Sequence, residues 1–413
     1  MRRVLLVAMH YPPMYGSGVQ RLLALSRDLP EFGWQVDVLT VAEHALPETE
    51  PARTADIPHD TTVMRAWGVD TRRRLSFKGR YPTFLALPDR WMTWRIGALL
   101  AGLRYIRRQR PDALLSSFPI ATAHHIGADL RRLTRVPWVA DFRDPMAQDE
   151  YPADRRVWRS FLKVEQRVTR SAQALTFTSP SAKDYYVARY GAELASRCAI
   201  VPNGYDQAAF AELDECAPAA LAGRRIEALH SGLLYPWERN PLPFFRAVAG
   251  LHQQGFFAQH PVHFMFRASG FAEQFEPAVA ALGITELVSF AARLPYHDAL
   301  REMHDTDLLL AFQAANSNFQ TPAKIYEYLR IGRPILALVA PGGDTAQLLA
   351  GLPVATLADI ESEQQIGAAL RSCVAAIESG QSAALGTGIE VEQYSRRESA
   401  RLMAAVLDSV ARP

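Results

Sequence analysis

An acid and a base stand three residues apart in the segment 318–334, NFQTPAKIYEYLRIGRP. Thr321 is typical of a helix N-cap, and Pro322 suits the first helical position. The free amides of such a helix start, around Thr321 and Ala323, can hold a phosphate. Lys324 would then lie in the first turn, where the helix dipole disfavours a cation unless an anion compensates it. Glu327 lies on the same face, where a carboxylate can accept both hydroxyls of a ribose.

The alternative is that Lys324 and Glu327 pair with each other, which stabilises a helix by about 0.2 to 0.5 kcal/mol. The order Glu327, four residues, Gly332-Arg333-Pro334 and an apolar strand resembles the second half of the Glu-x7-Glu motif. That motif marks retaining GT-B glycosyltransferases of the family-4 type, also called glycosyl transferases group 1. The first glutamate of the motif is replaced here by Phe319, so the resemblance implies altered recognition of the donor sugar around Phe319 and Gln320.

A second phosphate element is predicted after the strand Ile226 to His230. Gly232 permits close backbone approach, and Arg239 offers a bidentate phosphate ligand. Together they resemble the Gly-x-Leu and Lys-Gly element that holds the nucleotide diphosphate in the same family. Arg239 replaces the lysine, and Leu233 replaces the usual arginine. A solvated Arg239 is the alternative.

The first strand leads into Gly16, Ser17 and Gly18 and then a helix, a place where an anion or a sugar can sit. This is not a dinucleotide fingerprint, because Arg21 replaces its third glycine, and an NAD enzyme is disfavoured. The loop resembles the acceptor-side loop of the family-4 glycosyltransferases. A tight structural turn is the alternative.

Asp141, Arg143 and Asp144 end a strand, at the edge where α/β proteins place ligands. The resemblance implies a loop that reaches the donor sugar, with Arg143 where a histidine is frequent. Arg143 cannot act as a base, but it can bind an anion or orient the two aspartates, either of which could receive an acceptor hydroxyl proton. A self-satisfied loop network is the alternative. His124 and His125, on the preceding helix, could include one side chain facing the cleft, or serve only the helix.

Short apolar runs alternate with helical segments along the whole chain, which predicts a parallel α/β architecture. We predict two doubly wound, Rossmann-like domains, 1–203 and 204–389, with a linker that runs from Asn203-Gly204 to Gly223. The resemblance implies a GT-B fold in which the domains face a central cleft. It also implies that the first domain binds the acceptor, that the second binds the nucleotide-sugar, and that a terminal helix at about 390–413 packs back on the first.

A chain of 413 residues that is 49% hydrophobic and 21% charged can fill two domain cores. Cys198, Cys216 and Cys373 are widely spaced, so neither a disulfide framework nor a metal site is predicted, and a reducing cytoplasm fits best. No apolar run approaches the length of a transmembrane helix.

The charge is concentrated in the segment 72–110, which carries eleven Lys and Arg residues against one Asp, within a chain of net charge +2. Aromatic residues and a helical apolar repeat are interleaved with these cations. The pattern predicts a peripheral contact with an anionic membrane, at the inner face of the cell membrane. A solvated basic face is the alternative, and nucleic acid is disfavoured because the rest of the chain is acidic.

The resemblance therefore implies a retaining transferase that moves a sugar from a nucleotide-diphosphate sugar to a lipid-linked or polysaccharide precursor of the cell surface. Lys324 and Arg239 would stabilise the departing diphosphate without a metal or a further cofactor, and Glu327 would hold the ribose. Two rivals stay open: a GT-B nucleotide-sugar 2-epimerase, and a non-catalytic sugar-nucleotide-binding assembly protein.

Overall fold

The computed structural model describes residues 1–14, 16–78, 81, 83–149, 151–211, 213, 224–381 and 390–411. Several predictions concern residues outside this set: Arg80 of the basic segment 72–110, Cys216, residue 389 and most of the predicted linker. Internal contacts divide the chain into two units, Met1–Gly204 with Arg396–Pro413, and Tyr205–Ser395. The predicted boundary at 203/204 lies one residue from this division, and the assignment of acceptor and donor to the two units stays a prediction.

In the described residues of the first unit, a sheet of seven parallel strands has the order β3-β2-β1-β4-β5-β6-β7. Its strands are β1 (Arg2–Val7), β2 (Trp34–Val41), β3 (Val63–Ala66), β4 (Ala113–Ser117), β5 (Trp138–Arg143), β6 (Ala174–Phe177) and β7 (Cys198–Ile200). The order reverses direction between β1 and β4. In open α/β sheets, ligands bind outside the carboxyl ends of the strands at such a switch point.

Helices cover this sheet and connect its strands. They are α1 (Ser17–Asp28), α2 (Thr71–Arg74), α3 (Trp94–Gln109), α4 (Ala121–Thr134), α5 (Arg155–Ser171) and α6 (Pro180–Tyr190). Asp70 and Asp154 cap α2 and α5, since each carboxylate accepts hydrogen bonds from two backbone amides of the following turn.

The second unit contains a sheet of six parallel strands, counted over the described residues, with the order β10-β9-β8-β11-β12-β13. The strands are β8 (Ile226–Ser231), β9 (Val262–Arg267), β10 (Val288–Ala291), β11 (Leu308–Gln313), β12 (Ile335–Val339) and β13 (Ala355–Ala358). The helices are α7 (Gln207–Phe210), α8 (Leu242–Gln253), α9 (Phe256–Gln259), α10 (Ala272–Ala281), α11 (Tyr296–Asp305), α12 (Ala323–Ile331), α13 (Asp344–Leu349) and α14 (Glu363–Glu378).

The last helix, α15 (Arg396–Val410), belongs to the first unit. Met403 and Leu407 are buried in the same apolar cluster as Leu22, Leu25 and Trp34. Burial of this stripe explains why the terminal segment is helical and amphipathic. The predicted start at about 390 is wrong, because residues Val391–Tyr394 form a short 3-10 helix and α15 begins at Arg396.

The prediction of two doubly wound parallel sheets is confirmed. One strand was missed, β13, whose four residues are mostly half-exposed at the edge of the second sheet. Among the described residues, no helix has both the length and the apolar character that crossing a membrane requires.

Candidate functional site

Lys324 reaches from the first turn of α12 to the loop that follows β8. Its ammonium donates a hydrogen bond to the Ser231 carbonyl. A Cβ atom at position 232 would overlap the same ammonium nitrogen, and Gly232 has a φ of 133°, where L residues are strained. The glycine therefore gives Lys324 the space that it occupies.

Arg239 is the second cation of this group. Its Nη1 donates to the Leu233 carbonyl at 3.1 Å, and its guanidinium lies 5.7 Å from the Tyr235 ring centroid. Its Nε is buried and has no hydrogen-bond partner among the described residues. Arg239 is thus not freely solvated, and burial lowers its pKa.

The two cations affect each other electrostatically. Burial and the neighbouring Arg239 lower the pKa of Lys324 to about 7, against the opposing effect of Glu327. An anion bound beside Lys324 would stabilise the charged ammonium and raise this lowered pKa again. Lys324, Arg239 and the Gly232 backbone are thus close together, an arrangement of two cations and an accessible glycine backbone that could hold a phosphate group.

Glu327 follows one helical turn after Lys324 and is 9% exposed. Its Oε1 accepts a hydrogen bond of 2.8 Å from the hydroxyl of Tyr296, the first residue of α11. This bond orients the carboxylate, which is what recognition of a hydroxyl pair requires.

The loop before α12 is fixed by Gln313, a buried residue at the end of β11. Its Nε2 donates to the carbonyls of Ser317 and Gln320, at 2.5 and 2.7 Å, and its Oε1 accepts from Thr345 at 2.5 Å. The half-buried Phe319 lies inside the segment held in this way.

The helix start differs from the prediction by one residue. α12 begins at Ala323, and Pro322 takes the N-cap position with φ −58° and ψ 138°. Thr321 as N-cap and Pro322 as first helical residue are therefore wrong, because the proline backbone is extended rather than helical. The amides of the first turn still have no carbonyl partner within the helix.

In the first unit, a bulge ends β5 at Arg143. The pairing of β5 with β6 shifts register between Asp141 and Arg143, and Arg143 has φ 63°. Left-handed backbone is uncommon for a residue with a side chain and clusters at functional sites. Thr178 stabilises this conformation, since its amide and hydroxyl both donate to the Arg143 carbonyl, at 2.9 and 3.0 Å.

Asp144 and His10 lie beside this bulge. Asp144 accepts a hydrogen bond of 3.1 Å from the Thr178 hydroxyl, and burial raises its pKa. His10 follows β1, and burial together with Arg143 lowers its pKa to about 4, so the imidazole is neutral at pH 7. A Cβ at Gly18 would overlap the His10 ring, which explains the glycine there. Gly16 has φ 131°, and Ser17 begins α1.

Asp141 belongs to a buried network. Its oxygens accept hydrogen bonds of 2.8 Å from the hydroxyls of Ser117 and Thr176, and Arg21 lies at 3.2 Å. Arg21 also donates to the carbonyls of Val201 and Pro202, at 3.0 and 2.8 Å. For Asp141, these contacts favour the predicted alternative of a loop network in which the polar groups satisfy one another. Asp144 accepts none of these hydrogen bonds.

His124 and His125 are not part of this group. His124 is fully buried, with Nδ1 2.7 Å from the Ser116 hydroxyl, and burial lowers its pKa to about 3. His125 Nδ1 lies 3.1 Å from Arg167. Both contacts favour the alternative of an ordinary role within the helix.

The structure thus brings together Gly232, Arg239, Lys324 and Glu327 in the second unit, and Gly18, Arg143 and Asp144 in the first. The sequence prediction missed His10, Tyr296 and Gln313 as site residues. The position of His10 in the loop after the first strand, Arg2–Val7, was a usable signal, whereas Tyr296 and Gln313 come from distant segments and carried none. Among the described residues, no group of three or more His, Cys, Asp or Glu is placed to hold a metal ion.

Part of the chain is similar to a known protein family. Residues 16–204 match a family model described as a glycosyl transferase 4-like domain. No curated protein sequence matches the chain.

Solved structures match over nearly the full length. Anabaena HepE in complex with UDP has a TM-score of 0.69 at 14% identity, covering 99% of this chain and 100% of that one. Sucrose-phosphate synthase from Thermosynechococcus elongatus has a TM-score of 0.69 at 14% identity, covering 99% of each chain. UDP-GlcNAc 2-epimerase from Neisseria meningitidis, bound to UDP-GlcNAc, has a TM-score of 0.58 at 10% identity, covering 99% and 100%.

Identities this low show the fold alone, and the fold is GT-B. The match of residues 16–204 to the glycosyl transferase 4-like model bears out the predicted resemblance to the family-4 type in that segment, and the solved structures bear out the predicted GT-B fold.

Proposed function

We propose that this protein is a retaining glycosyltransferase that uses a nucleotide-diphosphate sugar as donor. The observation that carries the proposal is the pair Lys324 and Arg239, two neighbouring cations on the loop and helix at the carboxyl ends of β8 and β11. Lys324 has the space left by Gly232, and in the described part of the chain the two cations donate to backbone carbonyls rather than pairing with a carboxylate. A diphosphate fits the charge of this site.

The chemistry follows from where charge develops. When the bond between the anomeric carbon and the diphosphate breaks, the leaving phosphate gains negative charge, which Lys324 and Arg239 stabilise. The acceptor oxygen bonds to the anomeric carbon on the same face, and its proton passes to the departing phosphate oxygen. This route needs neither a dedicated protein base nor a metal, and the predicted metal independence is part of the proposal.

Glu327 positions the donor in this scheme. Its carboxylate, oriented by Tyr296, accepts the ribose hydroxyls, so that it acts by position and not by chemistry. Phe319, which replaces a carboxylate, gives the sugar an apolar surface in the loop held by Gln313 and suits a deoxy or acetamido sugar.

We propose a lipid-linked acceptor or a polysaccharide precursor, with peripheral contact to the inner face of the cell membrane through the segment 72–110. Large apolar side chains in this segment are exposed: Phe77 by 77%, Phe84 by 72% and Leu100 by 65%. They share the segment with the exposed cations Arg72, Arg73, Arg74 and Arg104. Apolar anchors among cations are what binding to an anionic bilayer requires.

The test replaces Lys324 and Glu327 separately by alanine. We expect both purified variants to keep their melting temperature and to lose transfer by at least about a hundredfold, as for groups that stabilise the departing charge or position the donor. Arg301→Ala and Glu276→Ala, exposed residues of the same unit, serve as controls and should keep full activity. Near-normal turnover in both site variants would overturn the assignment.

A nucleotide-sugar 2-epimerase is the second candidate, because the solved 2-epimerase from N. meningitidis shares the fold over 99% of this chain. Incubation with donor alone separates the two. A transferase releases free nucleoside diphosphate in proportion to added acceptor, whereas a 2-epimerase converts the donor sugar without acceptor. Binding of nucleotide without turnover on any acceptor would instead favour a non-catalytic assembly protein.

A further inference from the structure

A cavity of about 610 Å³ opens between α4 and α5 of the first unit. Six of its lining side chains are cationic, and none of its lining residues, all within the described part of the chain, is acidic. The cations are Arg131, Arg132, Arg135, Lys163, Arg167 and Arg170. The volume lies within the range of about 300 to 1,000 Å³ that ligand sites occupy.

This cavity, the basic pocket, is separate from the candidate site of the same unit. Gln173 lines the pocket and bridges the amino ends of two strands, since its side-chain oxygen accepts from the Trp138 amide at 2.8 Å. Arg143 instead ends β5 at its carboxyl end, and Asp144 follows directly. The two sites therefore lie at opposite ends of the strands of one sheet.

Part of the charge is fixed in place by the protein. Arg131 donates to Gln173 at 3.0 Å, and Arg167 makes an ion pair with Asp129 at 2.5 Å. Asp129 also binds Arg95 at 2.6 Å, so its charge is shared between two guanidinium groups. These contacts fix the positions of two of the lining arginines, Arg131 and Arg167.

The remaining charge is not neutralised. Arg132, Lys163 and Arg170 are exposed and make no ion pair or side-chain hydrogen bond with the described part of the chain. Arg131 and Arg132 lie in the last turn of α4 and Arg170 lies in the last turn of α5, where the helix dipole favours cations. Lys163 lies in the middle of α5, where the dipole gives no such preference.

We propose that the basic pocket binds a compact oligophosphate, a diphosphate or longer, at a site distinct from the donor site. Planar guanidinium groups bind phosphate oxygens in pairs, and several cations converging from two helices match an anion with several charges better than a single carboxylate. The group can belong to a free oligophosphate or to a lipid headgroup with clustered phosphates.

The test uses the full chain with the donor cations removed, Lys324→Ala with Arg239→Ala, so that pyrophosphate cannot bind there. Titration calorimetry in about 150 mM NaCl, where the Debye length is about 8 Å, should show saturable binding of one pyrophosphate. Adding Arg132→Gln, Lys163→Gln and Arg170→Gln should weaken it by about tenfold or more.

The matched control adds Arg107→Gln, Arg108→Gln and Arg110→Gln, an equal loss of exposed charge at the end of α3. Unchanged binding in this control supports the pocket, whereas an equal loss in both triple variants, or no saturable binding, overturns it. Competition by sulfate as strong as that by pyrophosphate would also overturn it. Because the donor cations are already absent, failure here leaves the proposed function untouched.

Vesicle flotation distinguishes the two sources. Loss of binding to vesicles with phosphatidylinositol bisphosphate in the pocket triple variant, with unchanged binding to phosphatidylserine vesicles, assigns the phosphate to a lipid headgroup. Unchanged flotation on both, with weakened pyrophosphate binding, assigns it to a free oligophosphate. Circular dichroism confirms that each variant is folded.

Discussion

The ammonium of Lys324 occupies the space that a side chain at Gly232 would fill, and it donates to the carbonyl of Ser231. The two residues are far apart in the sequence, yet each constrains the other. The glycine is needed for its missing Cβ as well as for its positive φ, and the lysine is held by the backbone next to it.

Gly232→Ala should therefore impair the proposed donor site. A methyl group would displace the Lys324 ammonium and strain the backbone at φ 133°, so we expect nucleoside-diphosphate affinity to fall by about tenfold or more. Titration calorimetry measures this. Gly250→Ala is the control, since a Cβ there has no neighbour within 4 Å. Equal affinity in the two variants would contradict the spatial relationship.

Binding of a nucleoside diphosphate should depend on pH through Lys324. Its pKa of about 7 means that the ammonium loses its proton as the pH rises through neutrality, and the diphosphate then loses a cationic partner. Arg239 stays charged, and burial keeps His230 neutral by lowering its pKa well below the ordinary value. We expect affinity to fall between about pH 6 and pH 9, with proton uptake on binding. Lys324→Arg should abolish the uptake, which calorimetry in buffers of different ionisation enthalpy detects.

The same pKa predicts a trend in stability. In the unfolded chain Lys324 keeps its proton up to its ordinary pKa of 10.5, whereas the folded chain loses it from about 7. Between these values the unfolded state binds more protons, so the free energy of unfolding rises with pH. Relative to Lys324→Met, the natural chain should gain stability from about pH 7 to pH 10 in urea titrations. A constant difference over that range would refute the lowered pKa.

Tyr296→Phe tests the orientation of Glu327. Loss of the 2.8 Å hydrogen bond frees the carboxylate, and a hydrogen bond of this kind contributes about 0.5 to 1.5 kcal/mol. We expect a higher KM for the donor with little change in kcat. A double-mutant cycle with Glu327→Gln measures the coupling, and strictly additive effects would show that Tyr296 acts independently.

The two variants Asp141→Asn and Asp144→Asn should have different effects: the first should lower stability, and the second should lower activity. Asp141 is buried against Arg21, and removing one partner of a buried ion pair costs about 3 to 5 kcal/mol. Thermal unfolding should show a large loss for Asp141→Asn. Asp144 accepts a single recorded bond, from Thr178, so its variant should unfold near the natural temperature and lose activity instead. The reverse pattern would exchange their roles.

The architecture could be predicted from the sequence because the buried strands are continuous apolar runs. Ala174–Phe177 and Val262–Arg267 are short, mainly apolar runs of this kind. Ala355–Ala358 was missed, since a half-exposed edge strand of four residues has neither a long apolar run nor clear alternation.

The candidate site could be predicted only in part. Lys324 and Glu327 share one helix, so their spacing places them on one face. Thr321 and Pro322 fit two adjacent cap positions equally well by residue type, which explains the error of one residue at the start of α12. Tyr296 and Gln313 become relevant only when α11 and β11 pack beside this helix, and local patterns do not report that packing.

Membrane contact through the segment 72–110 should require both its charges and its apolar side chains. We expect flotation with anionic vesicles to fail after Arg72, Arg73 and Arg74 become Glu, because each basic residue near such a surface contributes about 1 kcal/mol. Phe77→Ser with Phe84→Ser should weaken flotation at unchanged charge, since both rings are more than 70% exposed and free to insert.

The control for this prediction is an equal charge reversal on α5, in which Arg155, Arg156 and Arg159 are changed to Glu. If this control floats as poorly as the first variant, net charge alone drives binding and the segment has no special role; if all variants float normally, there is no contact through it.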